Sequence, residues 1–230
     1  MNISNTDVWG FKHALRGMRN PMNSWEKSDS ITECHNQCEE CTYKNCLLHV
    51  PIIIGENDMK LAQSLILAGG EHSKFMRMIH VAADFDMPRY WWSEMDTYHF
   101  NTKNSCSTMH KLLNNNYPIT LDTFIFCGED LDLIVDVVNR LEDLRKRYKE
   151  IQATTKDSKA MNRLLLRAKR ILPEGFLQMR TVDTNYAELR NMYFQRRPHR
   201  LKEEWVNTFC KWVESLPYAK ELITYEGENK

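Results

Sequence analysis

The chain is 230 residues long, the size of one domain or of one domain with an elaboration. Its 31 Lys and Arg balance 31 Asp and Glu, so it lacks the basic excess that a nucleic-acid coat or a membrane-surface protein needs. A hydrophobic fraction of 42%, with six Trp and nine Phe, suffices for a buried core.

No apolar run approaches the ~20 residues that cross a bilayer. The N-terminal MNISNTDVWGFKH has no apolar stretch of the secretory-signal kind. The seven Cys are therefore expected as thiols or metal ligands in the cytoplasm rather than as disulfides. Neither a membrane nor a nucleic acid is expected as a partner.

Residues 7–30 mix aromatic, basic and small polar residues without a long period, with a turn signal at Asn20-Pro21 beside Arg16 and Arg19. Cys34, Cys38, Cys41 and Cys46 then crowd together, with His35 and His49 nearby. Four thiolates so close suit a tetrahedral zinc, although the spacing departs from paired C-x2-C knuckles. The Cys34-x3-Cys38-x2-Cys41 spacing also resembles the iron–sulfur triad of radical SAM enzymes, and unligated thiols are the third reading.

A short helix is expected over 58–69, capped by Asp58, striped by Leu61, Leu65 and Ile66, and ended by Gly69-Gly70. Residues 75–87 alternate as a strand does. Beyond Pro88, RYWWSEMDTYHF is expected as a partly buried helix. Trp91 and Trp92 are either core or a stacking platform for a planar ring. Ser105, Ser107 and Thr108 either bind phosphate oxygens or cap a helix that starts at Ser107. The clearest helix covers 130–152, with Leu131, Ile134, Val138, Leu141, Leu144, Tyr148 and Ile151 at three- and four-residue steps. A second helix covers 159–171 and stops at Leu172-Pro173.

Phe176 to Val182 alternates apolar and polar residues, the period of a strand. Asn185 has the position of a helix N-cap, with Glu188 at capping-box spacing. Pro198 breaks that helix, and another from His199 carries Leu201, Trp205, Phe209, Trp212 and Val213 inward. The turn between the two presents Arg196, Arg197, His199 and Arg200 together. Guanidinium forks beside a helix start suit a phosphate or carboxylate, and the alternative is a solvated basic turn.

Read in order, these pieces resemble the flavin-dependent thymidylate synthases, the ThyX family. Leu61 to His72, ending in GGEH, resembles that family's helix, glycine and Glu-His segment. Arg89-Tyr90-Trp91-Trp92 resembles the lead into its Arg-His-Arg, and Asn104-Ser105-Cys106-Ser107 resembles its Ser-x-Asn-Glu-x-Ser loop. Leu172-Pro173, Asn185, Leu189, Arg196 and Glu204 keep the order and spacing of its C-terminal landmarks, and Ala14-Leu15-Arg16 resembles its first Ala-Arg strand. Ser93-Glu94-Met95 stands where the family has Arg-His-Arg.

The resemblance implies an α+β fold, a ThyX-like sheet flanked by long helices, with a Cys-rich N-terminal insert. Residues 1–57 would form the N-terminal segment, 58–225 the ThyX-like domain and 226–230 a disordered tail. It further implies FAD as cofactor, a pyrimidine nucleotide (dUMP) and a folate as small-molecule partners, and a homotetramer with sites between subunits. Arg196 would be catalytic. His72, Arg89 and Asn185 would hold the flavin, and Ser105, Ser107, Arg196 and Arg197 the nucleotide. The reaction implied is reductive methylation of dUMP or a related C5 modification. A non-catalytic nucleotide-binding or assembly protein on the same scaffold is the alternative. Zinc at Cys34, Cys38, Cys41 and Cys46 is a separate expectation.

Overall fold

The computed structural model describes residues 1–31 and 52–227. Cys34, Cys38, Cys41 and Cys46, with His35 and His49, lie outside the described residues. In chain order the elements are β1 (Asn2–Trp9), α1 (Phe11–Arg19), α2 (Glu56–Leu67), β2 (His80–Pro88), α3 (Arg89–Met95), β3 (Thr102–Ser105) and α4 (Thr108–Lys111). They continue with α5 (Leu131–Ala153), α6 (Ser158–Ile171), β4 (Leu177–Asn185), α7 (Tyr186–Arg196), a π-helical run (Lys202–Cys210) and α8 (Lys211–Glu214). The strands form one antiparallel sheet in the order β1-β2-β4-β3. The expected α+β class is the observed one.

The chain divides into two compact units, and the boundaries fall inside the strands. One unit holds Met1–Ser4, Asp84–His99 and Lys103–Val182. Its core is the α5/α6 hairpin, where Ile134, Leu141 and Leu144 pack with Leu164, Ala168 and Leu172. The helical stripe expected over 130–152 is in the right register, except that Leu131 is exposed. Asp157 caps α6, its carboxylate accepting from the Lys159 and Ala160 amides at 2.9 and 3.1 Å. In α3, Trp91 and Trp92 are fully buried and pack edge to face at 4.9 Å. Trp92 Nε1 donates to the carbonyls of Met87 and Gln178 at 3.1 and 2.8 Å. These indoles are therefore core, and no face is left to stack a ligand ring.

The other unit holds Asn5–Ala83, Phe100–Thr102 and Asp183–Lys230. Residues 7–30, which showed no long period, contain the end of β1 and the amphipathic helix α1. Phe11, Ala14, Leu15 and Met18 form its buried stripe. Ala14-Leu15-Arg16 is thus helical, not a strand. Gly10 begins α1 with φ +97, and a Cβ there would lie 1.9 Å from the Met78 carbonyl oxygen. Asp58 does not cap α2, which starts two residues earlier after Gly55. The Asp29 carboxylate takes that role from a distant loop, accepting from the Asn57 and Asp58 amides at 2.8 and 3.0 Å. These amides hold the Asp29 carboxyl below its ordinary range.

Asp58 itself is fully buried against Arg19, Nε to Oδ1 2.6 Å. In the helix expected from His199, the backbone is π-helical before it becomes α8, and Trp205, Phe209 and Val213 are buried. Glu226, placed in the expected tail, pairs with Arg197. Among the described residues no helix is long and apolar enough to cross a membrane.

Candidate functional site

The basic turn after α7 is built on a buried indole. Asn185 caps α7 as its sequence position predicts, Oδ1 accepting from the Glu188 amide at 3.0 Å. The helix then delivers Arg196 to its last turn, and the guanidinium lies 4.4 Å over the ring of Trp205, which is fully buried. The His199 amide donates to the Arg196 carbonyl at 3.0 Å, and the His199 ring meets Trp205 edge to face at 5.9 Å. His199 Nδ1 accepts from the Leu201 amide at 3.2 Å, which fixes the imidazole. Arg196 and His199 therefore share one apolar floor.

Arg197 turns away from them. Its fork makes a two-pronged pair with Glu226 at 2.8 and 3.1 Å, and this pair holds the Glu226 carboxyl below its ordinary range. Arg200 is exposed. Of the four basic residues gathered in the sequence, the fold brings two together.

Two cavities lie in the same unit. His72 is exposed on the rim of one, about 690 Å³, whose walls combine the cationic or titratable His13, Arg16 and Lys74 with apolar Leu61, Leu65 and Phe75. Arg16 also stands 5.1 Å over the Trp25 ring. Glu71, beside His72, pairs with Lys74 at 2.7 Å, which holds its carboxyl low. Asn185 lines the second cavity, about 510 Å³, with Arg77, Phe100, Glu188 and Phe194.

The remaining expected residues belong to the other unit. Arg89 opens α3, and its amide donates to the Phe176 carbonyl at 3.1 Å. Its guanidinium binds the Leu172 carbonyl at 3.4 Å and Glu174 at 3.1 Å. These contacts tie α3 to the segment after α6. Ser93 Oγ donates to the Arg89 carbonyl at 3.3 Å, and Met95 is fully buried. Ser93-Glu94-Met95 thus carries no cation. Ser105 ends β3, whereas Ser107 precedes α4 and lines a cavity of about 280 Å³ with Asp86, Lys111, Tyr117, Phe176 and Gln178.

Two residues of this unit were missed in the sequence. Burial pushes the Asp86 carboxyl up, and its place on the side of β2 opposite the buried Phe85 and Met87 was legible from the strand period. Lys169 Nζ donates to Thr108 Oγ1 at 2.5 Å, and burial first, then the charge of Arg89, pushes its ammonium down. Nothing in the sequence distinguishes Lys169 from its basic neighbours on α6.

Among the described residues no group of three or more His, Cys, Asp or Glu side chains gathers to hold a metal. Cys106, Cys127 and Cys210 are free thiols.

A four-stranded antiparallel sheet, a long helical hairpin and an Asn-capped helix ending in an arginine define an α+β fold of known type. It is the fold of the flavin-dependent thymidylate synthases. The chain is similar to the ThyX enzyme of Helicobacter pylori complexed with FAD and dUMP, with a TM-score of 0.65 and 16% identity over 97% of this chain and 98% of that one. A second structure of ThyX from the same organism, also with FAD and dUMP, matches with a TM-score of 0.65 and 15% identity over 97% of each chain. No family model and no curated protein matches the sequence.

Proposed function

We propose that this chain is a ThyX-like pyrimidine-nucleotide enzyme, carrying out flavin-dependent methylation of dUMP or a related C5 modification. The observation that supports it most is the Asn185–Arg196 helix. Both ends are built as such a site needs, a capped start and a guanidinium fixed over Trp205, within a fold matched over nearly its whole length.

The cavity at His72 fits a flavin dinucleotide in its chemistry. Arg16, Lys74 and the two histidines suit a diphosphate, and Leu61, Leu65, Phe75 and Met78 suit a flat apolar ring. When bound, the flavin supplies the hydride of the reductive step. His72 and Asn185 would hold it. Arg196 would bind the pyrimidine carbonyl and stabilise the negative charge that develops on the ring, the fork being pre-set by its stack on Trp205. Ser105 and Ser107 would accept or donate hydrogen bonds at the nucleotide. Arg89 and Arg197 are committed to Glu174 and Glu226, so they contribute by holding backbone segments and only secondarily to a ligand. A homotetramer acting in the cytoplasm, with a folate as carbon donor, belongs to the same reading.

A specific observation favours the second reading, a non-catalytic nucleotide-binding protein. Ser93 is bonded to its own helix and Met95 is fully buried, so α3 offers no positive charge at the positions where the family has Arg-His-Arg. One experiment separates the two. The purified protein is mixed with FAD, with and without dUMP, freed of unbound cofactor and scanned from ~300 to 600 nm. A retained flavin spectrum, lost in Arg196→Ala or His72→Ala, is the expected result. A protein that never retains FAD refutes the enzyme and leaves the scaffold reading.

A further inference from the structure

The balanced charge of the whole chain hides a segregated one. Between Leu131 and Ile171, the α5/α6 hairpin, eleven Lys and Arg stand against six Asp and Glu. Helix α6 (Ser158–Ile171) holds five of those cations and no acid. Like charges crowded on one helix repel, a cost that an anionic partner would relieve.

The cations of α6 are ordered. Lys159, Arg163, Arg167 and Arg170 follow one another at four-, four- and three-residue steps, which puts them on one helical face. All four are exposed, while Leu164 and Ala168 carry the buried face. From Lys159 to Arg170 the stripe rises roughly 16 Å along the helix. Lys169 is not part of it, since its ammonium bonds Thr108. Arg140 joins from α5, and with Arg167 and Arg170 it lines a groove of about 540 Å³. Asp136 and Asp143 line the same groove, yet among the described residues neither pairs with these three arginines. Asp143 instead meets Arg147 at 3.7 Å. The guanidinium donors of the stripe are thus open to a ligand.

We infer that the α6 stripe and Arg140 form a docking surface for the phosphate backbone of a nucleic-acid duplex. Guanidinium forks match phosphate oxygens, and a stripe of this length calls for a row of anions rather than a single one. The groove wall carries no aromatic side chain among the described residues, so it offers nothing on which an unpaired base could stack. A duplex, which keeps its bases stacked inside and its charges outside, is the form that fits. Contacts confined to phosphates read no sequence. The inference goes beyond the flavin reading and uses none of the residues assigned there, so each can fail alone.

The test is fluorescence anisotropy of a labelled DNA duplex titrated with the full chain at salt from roughly 50 to 200 mM. Phosphate contacts from the stripe and Arg140 predict a slope of about −4 for log K against log salt, a loss on the order of a hundredfold over that range. A duplex of unrelated sequence should bind equally, and a single strand of the same length more weakly. Arg163→Ala combined with Arg167→Ala should weaken binding by roughly tenfold or more and flatten the slope by about two. Both side chains are exposed, so the melting temperature should stay close to that of the parent. Duplex binding that is absent at ~50 mM salt, or equally tight in the double variant, overturns the proposal. So does a single strand that outcompetes the duplex. Self-association of the chain that the double variant abolishes also overturns it, because the face then belongs to a second copy.

Discussion

Removing the Asp58 carboxylate should be among the most destabilising single changes in the chain. Asp58 is fully buried and Arg19 is 5% exposed, so their 2.6 Å contact is shielded from solvent and salt. Oδ2 of Asp58 also accepts from Ser28 Oγ at 2.6 Å and from Ser30 Oγ at 2.5 Å, and Ser30 Oγ in turn accepts from the Gly55 amide at 3.0 Å. Asp58→Ala leaves a buried guanidinium whose remaining bond among the described residues is a long one, Nη1 to the Ser24 carbonyl at 3.3 Å. Breaking a buried pair from one side costs about 3–5 kcal/mol. For a chain of this size that corresponds to a drop in Tm of roughly 6–20 °C. Urea unfolding followed by circular dichroism at 222 nm gives the free energy directly. Replacing both partners, Arg19→Met with Asp58→Ala, should recover a large part of the loss, because the stranded charge is gone. An Asp58→Ala free energy within ~1 kcal/mol of the parent would refute the reasoning.

Two further outcomes follow from the cysteines. Burial pushes the Cys210 thiol up to about 11, so native protein at pH 8 should leave Cys210 unmodified by a disulfide reagent while the exposed Cys106 and Cys127 react. A folded value above the unfolded one means that this stabilising contribution is complete below the usual thiol range and is lost as pH rises through about 11. Peptide mapping that finds Cys210 labelled as fast as Cys106 would contradict its burial. The segment bearing Cys34, Cys38, Cys41 and Cys46 is flanked by a paired neck, Ile31 and Ile53 exchanging hydrogen bonds of 2.8 and 3.0 Å. We predict one zinc per chain by elemental analysis, lost with Cys38→Ser. Metal-free protein, or iron with a band near ~400 nm, would exclude zinc there.

What the sequence made legible was local and periodic. The alternation of β2 appears as buried Val81, Ala83, Phe85 and Met87. The α5 stripe and the Asn185 cap are likewise set by neighbours within a few residues. Phe11, Ala14, Leu15 and Met18 carried an equally plain helical signal, which the surrounding polar residues obscured. β3 carried none, because Thr102 to Ser105 is a short polar strand with no apolar face. The cap of α2 was unreadable for a different reason. Asp58 stands at the expected distance before the apolar stripe, but Asp29 does the capping from across the fold and frees Asp58 to pair with Arg19.

The candidate site divides along the same line. Spacing from Asn185 to Arg196 survives in the fold because both residues sit on one helix, whose geometry converts sequence distance into position. The partners of each charge are long-range and had to be seen: Trp205 beneath Arg196, Glu226 on Arg197, Glu174 on Arg89. A guanidinium held two-pronged by a carboxylate, as Arg197 is by Glu226, has those donors committed. Arg196 lies over Trp205 at the end of the helix whose start holds the Asn185 cap. Sequence spacing places Arg196 at the end of α7, but not the indole floor that holds its guanidinium, because Trp205 belongs to the next element.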